Sequence, residues 1–278
     1  MKKIKWNKIL YYSLLGLFIA IFIGCAVYIG IYFYEMSVSR KVMSEVQDIK
    51  NSVTVPTRGP YVPPTEPSLG PGETIAPTEP PEPTEPQILP EYQELYNMNN
   101  DLVGWITIPG TNIDYPVLQT PKNPNYYLNR NFYKLYDARG SLYVREDCDV
   151  FAPSDNITIY GHRMEIPDGS MFYQLDKYKK RDYWEANQYF YFDTLYERHT
   201  YQIISVFKTH GETGFPYHRF HDAKDEEEFN TFINTIKSME SYYSTGLTAE
   251  YGDKLLCLST CEYTLGNGRF VVVAKRVD

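Results

Sequence analysis

Cys261 closes a run of apolar and small residues, Leu255-Leu256-Cys257-Leu258-Ser259-Thr260-Cys261, and Gly268-Arg269 follows shortly after it. A thiol and a guanidinium held together at a strand end supply a nucleophile for a carbonyl carbon and a fixed positive charge for the oxyanion that forms. The guanidinium stays charged at any working pH, so it holds an oxyanion without taking part in proton transfer. Acyl transfer of this kind needs a third group to move protons. His162 stands at the end of another β-branched run, Asn156-Ile157-Thr158-Ile159-Tyr160-Gly161, and an imidazole is the side chain best suited to that task. An ordinary thiol, with a pKa of about 8.5, is only slightly ionised at neutral pH, so Cys261 requires positive charge from Arg269 or protonated His162 to react.

Each residue also has a plainer reading. Cys261 could be a buried thiol, His162 a hydrogen-bonded surface residue, and Arg269 a salt-bridge partner at a hairpin end. The hairpin reading of Glu262–Gly268, with Gly266-Asn267-Gly268 as its turn, favours the chemical one, because antiparallel strands bring Arg269 beside Cys261. Cys25, Cys148 and Cys257 read as a membrane residue, a polar-turn residue and a strand residue. A strand separates Cys257 from Cys261 by about 13 Å, beyond the roughly 7 Å limit for a disulfide. His199, His210, His218 and His221 are the remaining imidazoles. His218 and His221 beside His210 could bind a metal, but no cysteine or carboxylate lies in register with them. They are read as an exposed loop, and no metal or other cofactor is expected.

The elements that must present these groups are mostly short strands: Gly104 to Ile108, Ile113 to Leu118, Ser141 to Val144, Asn156 to Tyr160, Tyr189 to Leu195, Tyr201 to Lys208, Lys254 to Thr260 and Phe270 to Arg276. Eight strands in one domain suggest a closed or nearly closed barrel, a mainly β fold with helices. A short helix from about Pro90 carries Tyr92, Leu95 and Tyr96, and another starts near Ser170. A third has Phe229, Phe232, Ile233, Ile236 and Met239 at helical spacing behind the acidic start Asp225-Glu226-Glu227-Glu228, which suits the positive end of a helix dipole.

Tyr160-Gly161-His162, Leu258-Ser259-Thr260-Cys261 and Gly268-Arg269 resemble the three signature segments of the sortases, the transpeptidases that fix proteins to Gram-positive cell walls. The similarity extends from about Glu91 to Asp278. The helix before Leu102-Val103-Gly104-Trp105 and the helical insertion ahead of the strand carrying the cysteine resemble class B. No second hydrophobic segment follows Arg276, which speaks against the pilus-building class. The resemblance implies an eight-stranded sortase-type β-barrel and a cysteine transpeptidase with His162, Cys261 and Arg269 as catalytic residues. Cys261 would attack the carbonyl of a threonine in a C-terminal sorting signal resembling Asn-Pro-Gln-Thr-Asn or Pro-x-Thr motifs. The thioester would then pass to a peptidoglycan amine. Tyr160, Ser259 and Glu262 take substrate-binding positions by their place in the motifs, Glu262 through its backbone N–H at the oxyanion.

Composition bounds the rest. With 43% hydrophobic and 22% charged residues, the stretch from Glu91 is a normal size for one packed domain. The net charge of −8 and the lack of a basic stripe argue against a nucleic-acid partner. Residues 9–34 carry no charged side chain, and such a helix, about 39 Å long, crosses a bilayer core of about 30 Å with some tilt. Lys2, Lys3, Lys5 and Lys8 flank its start, so residues 1–8 are expected in the cytoplasm and the domain outside the cell membrane. A cleaved signal peptide ending near Ser37-Val38-Ser39 and a lipoprotein anchor at Cys25 are the rivals; the length of the apolar run favours the uncleaved anchor. Residues 35–90 form a juxtamembrane segment and a stalk, with Thr-Glu-Pro recurring at 65–67, 78–80 and 84–86 and twelve of the nineteen prolines between Pro56 and Pro90. Extended at about 3.1 Å per residue, that stretch reaches on the order of 100 Å. Residues 91–278 are the catalytic domain.

Two other activities fit the same residues: an extracellular cysteine hydrolase or protease in which water is the final acceptor, and a non-catalytic stalked peptide-binding domain. Product analysis separates the first. Loss of one of His162, Cys261 or Arg269 would mark the second, and all three are present.

Overall fold

The structure, a computed structural model, describes residues 3–56, 58–59, 61, 86–164 and 169–278. The three Thr-Glu-Pro repeats, apart from Pro86, lie outside the described residues. Two compact units divide the chain, Met1–Glu45 and Val46–Asp278. The first is occupied by helix α1 (Lys3–Ser52). Residues Ile9 through Tyr34 expose almost all of their apolar side chains, Phe22 to 74%. Among the described residues α1 is the one helix long and apolar enough to cross a membrane. It extends well past the apolar run because nothing in residues 35–52 breaks a helix: there is no proline or glycine among them.

The second unit is a closed barrel of eight strands: β1 (Leu102–Thr107), β2 (Asp114–Leu118), β3 (Leu142–Val144), β4 (Asn156–Tyr160), β5 (Tyr189–Thr194), β6 (Arg198–His210), β7 (Leu255–Glu262) and β8 (Gly268–Arg276). Around the barrel the order is β1-β2-β3-β4-β7-β8-β6-β5, with β5 closing on β1. Pairing is antiparallel except for β2 with β3 and β4 with β7. The strand expectations hold to within a few residues. The largest departure is β6, which starts at Arg198 and runs to His210, because residues 198–200 pair with β5 and 208–210 with β8.

β7 is buried almost throughout because both of its faces are covered. Leu255 and Cys257 pack with Ile204, Val271 and Val273 beneath helix α4 (Glu226–Ser238), which lays Phe229, Phe232, Ile233 and Ile236 on them. Asp225 caps α4 by accepting from the Glu228 N–H at 2.9 Å. This helix is the expected insertion between β6 and β7. Near Ser170 the expected helix is a 3-10 helix over Met171–Lys179, followed by helix α3, which occupies Arg181–Ala186. Its buried residues Met171, Phe172, Leu175 and Tyr178 lie largely three apart, the repeat of a 3-10 rather than an α turn.

The compact unit also takes in chain upstream of Glu91. Val46 is fully buried and Ile49 packs beside it in a cluster with Trp105, Leu102 and residues of helix α2 (Pro90–Met98). Lys50 and the Trp105 indole both bond to Asp114, at 2.8 and 2.6 Å. Farther on, Arg58, Gly59 and Tyr61 lie along the outer side of β5. Its three outward residues are all engaged: Asp193 pairs with Arg58 at 2.9 Å, the Tyr191 hydroxyl donates to the Gly59 carbonyl at 3.1 Å, and Tyr189 packs on Tyr61. The chain returns at Leu89, whose N–H donates to the Leu195 carbonyl at 2.7 Å.

Candidate functional site

Alternation along β7 decides what its far end presents. Side chains at 255 and 257 lie under α4; those at 259 and 261 continue the same face past the helix. There the Ser259 hydroxyl meets the Tyr217 hydroxyl at 2.5 Å, and Cys261 opens into a pocket of about 390 Å³. The β7–β8 register pairs Cys261 with Arg269, so both side chains leave the sheet on one side. Tyr160 pairs with Ser259 across the parallel β4–β7 ladder. His162, Tyr160, Ser259, Cys261 and Arg269 all line this pocket.

Glu262, one residue on, points to the other face. Its carboxylate accepts from the Thr264 N–H and hydroxyl at 2.9 and 2.6 Å and faces Lys179. Burial pushes this carboxyl up, but the Thr264 bonds and the Lys179 ammonium outweigh it and leave it below the usual carboxylate range. Of the six expected site residues, Glu262 alone has its side chain outside the pocket, where only its backbone is left to serve.

The glycine between Tyr160 and His162 is a packing necessity. A Cβ on Gly161 would lie 2.4 Å from Leu142 and 2.5 Å from Phe172. The Gly161 N–H donates to the Ser259 carbonyl at 3.1 Å, and the His162 carbonyl accepts from Phe172 at 3.0 Å. His162 is thereby fixed to β7 on one side and to the 3-10 helix on the other. Its ring Nε2 lies 2.8 Å from the Leu128 carbonyl.

Arg269 folds back on its own turn, donating through Nη1 to the Gly268 carbonyl at 2.9 Å and to the Asn267 side chain at 3.0 Å. Nε and Nη2 have no acceptor among the described residues, which leaves two donor groups at the pocket for a developing negative charge. Burial pushes the Tyr160 hydroxyl up to about 12, against the pull of Arg145, so it stays a neutral hydrogen-bonding group. Arg145 is itself neutralised by Asp147, at 2.5 and 2.9 Å.

Sequence reasoning missed His218. It lines the pocket with Tyr217, and burial, with the positive charges of Arg145 and Arg219, holds its imidazole below its ordinary value. The loop reading holds for His221, which turns to the Arg219 carbonyl, whereas His210 ends β6, its Nδ1 accepting from the Glu212 and Thr213 N–H groups. The three histidines thus go separate ways. Asn125, which accepts from the Tyr143 hydroxyl at 2.9 Å, and Glu146 were also unforeseen on the pocket wall. Cys148 lies in its expected turn but is buried, its thiol pushed up to about 12, and burial raises Cys257 as well. Neither is a nucleophile at neutral pH.

A family model described as the sortase domain matches residues 106–277. Sortase B of Staphylococcus aureus is 32% identical over 190 residues, 68% of this chain and 75% of that protein. Sortase B of Listeria monocytogenes is 32% identical over 199 residues, 69% and 76% of the two chains. Among solved structures, sortase B of Bacillus anthracis in complex with AAEK1 superposes with a TM-score of 0.68 at 31% identity, covering 88% of this chain and 99% of that one. The S. aureus sortase B–substrate complex gives 0.62 at 30% identity, covering 69% and 87%.

Proposed function

The chain belongs to the sortase family as a cysteine transpeptidase of class B, and from that premise we propose that Cys261 is its nucleophile, His162 its proton carrier and Arg269 its oxyanion donor. The substrate is a surface protein bearing a C-terminal sorting signal. With its proton passed to His162, the Cys261 sulfur bonds to the carbonyl carbon of the signal's threonine while the carbonyl π pair moves onto oxygen, where Arg269 and the backbone N–H of Glu262 receive it. As the oxyanion collapses, the C–N bond breaks and the leaving nitrogen takes its proton from His162. A thioester remains. An amine of a peptidoglycan precursor then adds to the thioester carbon and gives a proton to His162. The C–S bond breaks with its electron pair on sulfur, restoring the thiolate.

The observation that carries this reading is the Cys261–Arg269 pair, in register on one face of the hairpin, sharing a pocket with His162. Tyr160 and Ser259 are read as walls of the signal groove. We place residues 1–8 in the cytoplasm, 9–34 as the uncleaved membrane anchor, 35–90 as the connecting segment and 91–278 as the catalytic part outside the cell.

The test is mass spectrometry of the full chain in detergent, incubated with a library of sorting-signal peptides with and without added amine, beside Cys261→Ala. The expected result is an amine-dependent ligation product and a Cys261 acyl adduct, both lost in the variant. Cleavage without ligation under every amine tried would establish the hydrolase instead.

A further inference from the structure

The Leu128 carbonyl touches the reaction only through His162, yet it determines which nitrogen of that ring can act. A carbonyl oxygen accepts and never donates. The 2.8 Å contact with Nε2 therefore requires a hydrogen on Nε2 in the neutral ring. The other nitrogen, Nδ1, has no partner among the described residues. We infer that Leu128 locks His162 in the Nε2–H tautomer, that Nδ1 is the atom that takes and gives the catalytic proton, and that Gly140 is the positioning residue that holds the Leu128 carbonyl in place. This rests on the reading of His162 as the proton carrier.

Three observations fix that carbonyl. Tyr127, the residue before it, is fully buried, its hydroxyl donating to Asp101 at 2.7 Å and accepting from Asn99 at 2.9 Å. The Tyr127 carbonyl accepts from the Ser141 N–H at 3.0 Å, and the Asn129 carbonyl from the Asp137 N–H at 3.1 Å. The Leu128 carbonyl between them takes neither bond and is left for His162. Gly140 crosses directly over this pair of carbonyls: with φ at +58°, a Cβ there would lie 2.4 Å from both the Leu128 and the Tyr127 oxygens. Only glycine allows that approach.

In the proton cycle, Nδ1 accepts the hydrogen of the Cys261 thiol, giving thiolate and imidazolium. Nδ1–H then protonates the leaving amine as its C–N bond breaks, and the neutral Nε2–H ring is regenerated. The same nitrogen takes the proton of the incoming amine in the second half. Through both halves Nε2–H stays bonded to Leu128, so the ring does not have to flip between them.

The full chain has five histidines. Labelled with ¹⁵N-histidine in detergent micelles, it gives the tautomer directly from long-range proton–nitrogen correlations, with His162→Gln identifying the signal. The expected result is a neutral His162 protonated on Nε2, with unprotonated Nδ1. Leu128→Ala, which keeps the carbonyl, should retain that tautomer. Gly140→Ala should give a mixture of tautomers and a shifted pH profile, with kcat down about tenfold and KM little changed, short of the roughly 10²–10⁴-fold loss for an absent acid–base group. A wild-type His162 protonated on Nδ1 overturns the inference. So does a folded Gly140→Ala with the wild-type tautomer and kcat. If Gly140→Ala fails to fold, the wild-type and Leu128→Ala spectra decide. A His162→Gln chain that still ligates peptides would refute the catalytic role of His162, and the tautomer assignment would stand on its spectrum alone.

Discussion

Gly161→Ala puts one methyl group where the site is tied to the barrel. The new Cβ would stand 2.4 Å from Leu142 Cδ2 and 2.5 Å from Phe172 Cδ2, and both side chains are essentially inaccessible, at 1% and 0% exposure. Neither has a free end to swing away. Overpacking of this kind costs about 1–3 kcal/mol, offset by about 0.4–1 kcal/mol from the stiffer unfolded chain. The net is a loss of about 1–2 kcal/mol, or roughly 2–8 °C in Tm for a domain of this size. Trp105 and Trp184, both buried, report the transition by fluorescence. Because the Phe172 N–H holds the His162 carbonyl, relief of the clash moves the histidine, and displacement by an ångström costs about a hundredfold in rate. Phe172→Leu in the same background should recover part of both losses. A Gly161→Ala chain as stable and as active as the parent would refute the packing argument, and a stable but slow one would locate the effect in the position of His162 alone.

Acid should weaken the barrel through Asp155. Burial raises its carboxyl, but the Lys254 ammonium at 2.8 Å and the Ala223 N–H at 3.0 Å bring it below the ordinary value. The unfolded chain then binds the extra proton, so this contribution is present above about pH 4 and lost as pH falls through the lower folded value. Asp155→Asn should cost about 1 kcal/mol at pH 7 and progressively less as pH falls below about 4, measured as Tm against pH; a gap that does not narrow in acid would count against it. Arg58→Ala removes a cation from Asp193, whose carboxyl burial already pushes up. A loss of about 1–2 kcal/mol is expected, partly restored by adding Asp193→Asn, and chemical denaturation of the two variants would show whether restoration occurs.

Local patterns carried the fold because they are enforced locally. Asn156–Tyr160 is β-branched and bounded by glycine, and β4 occupies those residues; α4 follows its apolar stripe and acidic start. The Cys261–Arg269 register follows from a hairpin whose strands stop at Glu262 and restart at Gly268. What escaped were partners far apart in sequence. Nothing near Val46 announces that it packs with Trp105, and nothing near His218 announces a pocket, since Tyr217 beside it is fixed by Ser259, 42 residues away. The Glu262 side chain faces away from Cys261 because adjacent strand residues face opposite ways, which leaves the expected role of its backbone N–H untouched. His162 and Leu128 are 34 residues apart, too far for any spacing rule.

The contacts of Arg58, Gly59 and Tyr61 with β5 fix where the chain enters the proline-rich tract. Tyr61 stands on Tyr189, and Leu89 is bonded at Leu195, so the feet of the intervening segment are separated by six strand residues, about 20 Å. Both contacts fall on residues 189–195, at β5 and the residue just after it, so the two ends of the intervening segment are held by the same part of the barrel. Adding or removing Thr-Glu-Pro units should therefore leave the contacts at Tyr61 and Leu89, and the barrel beneath them, where they are.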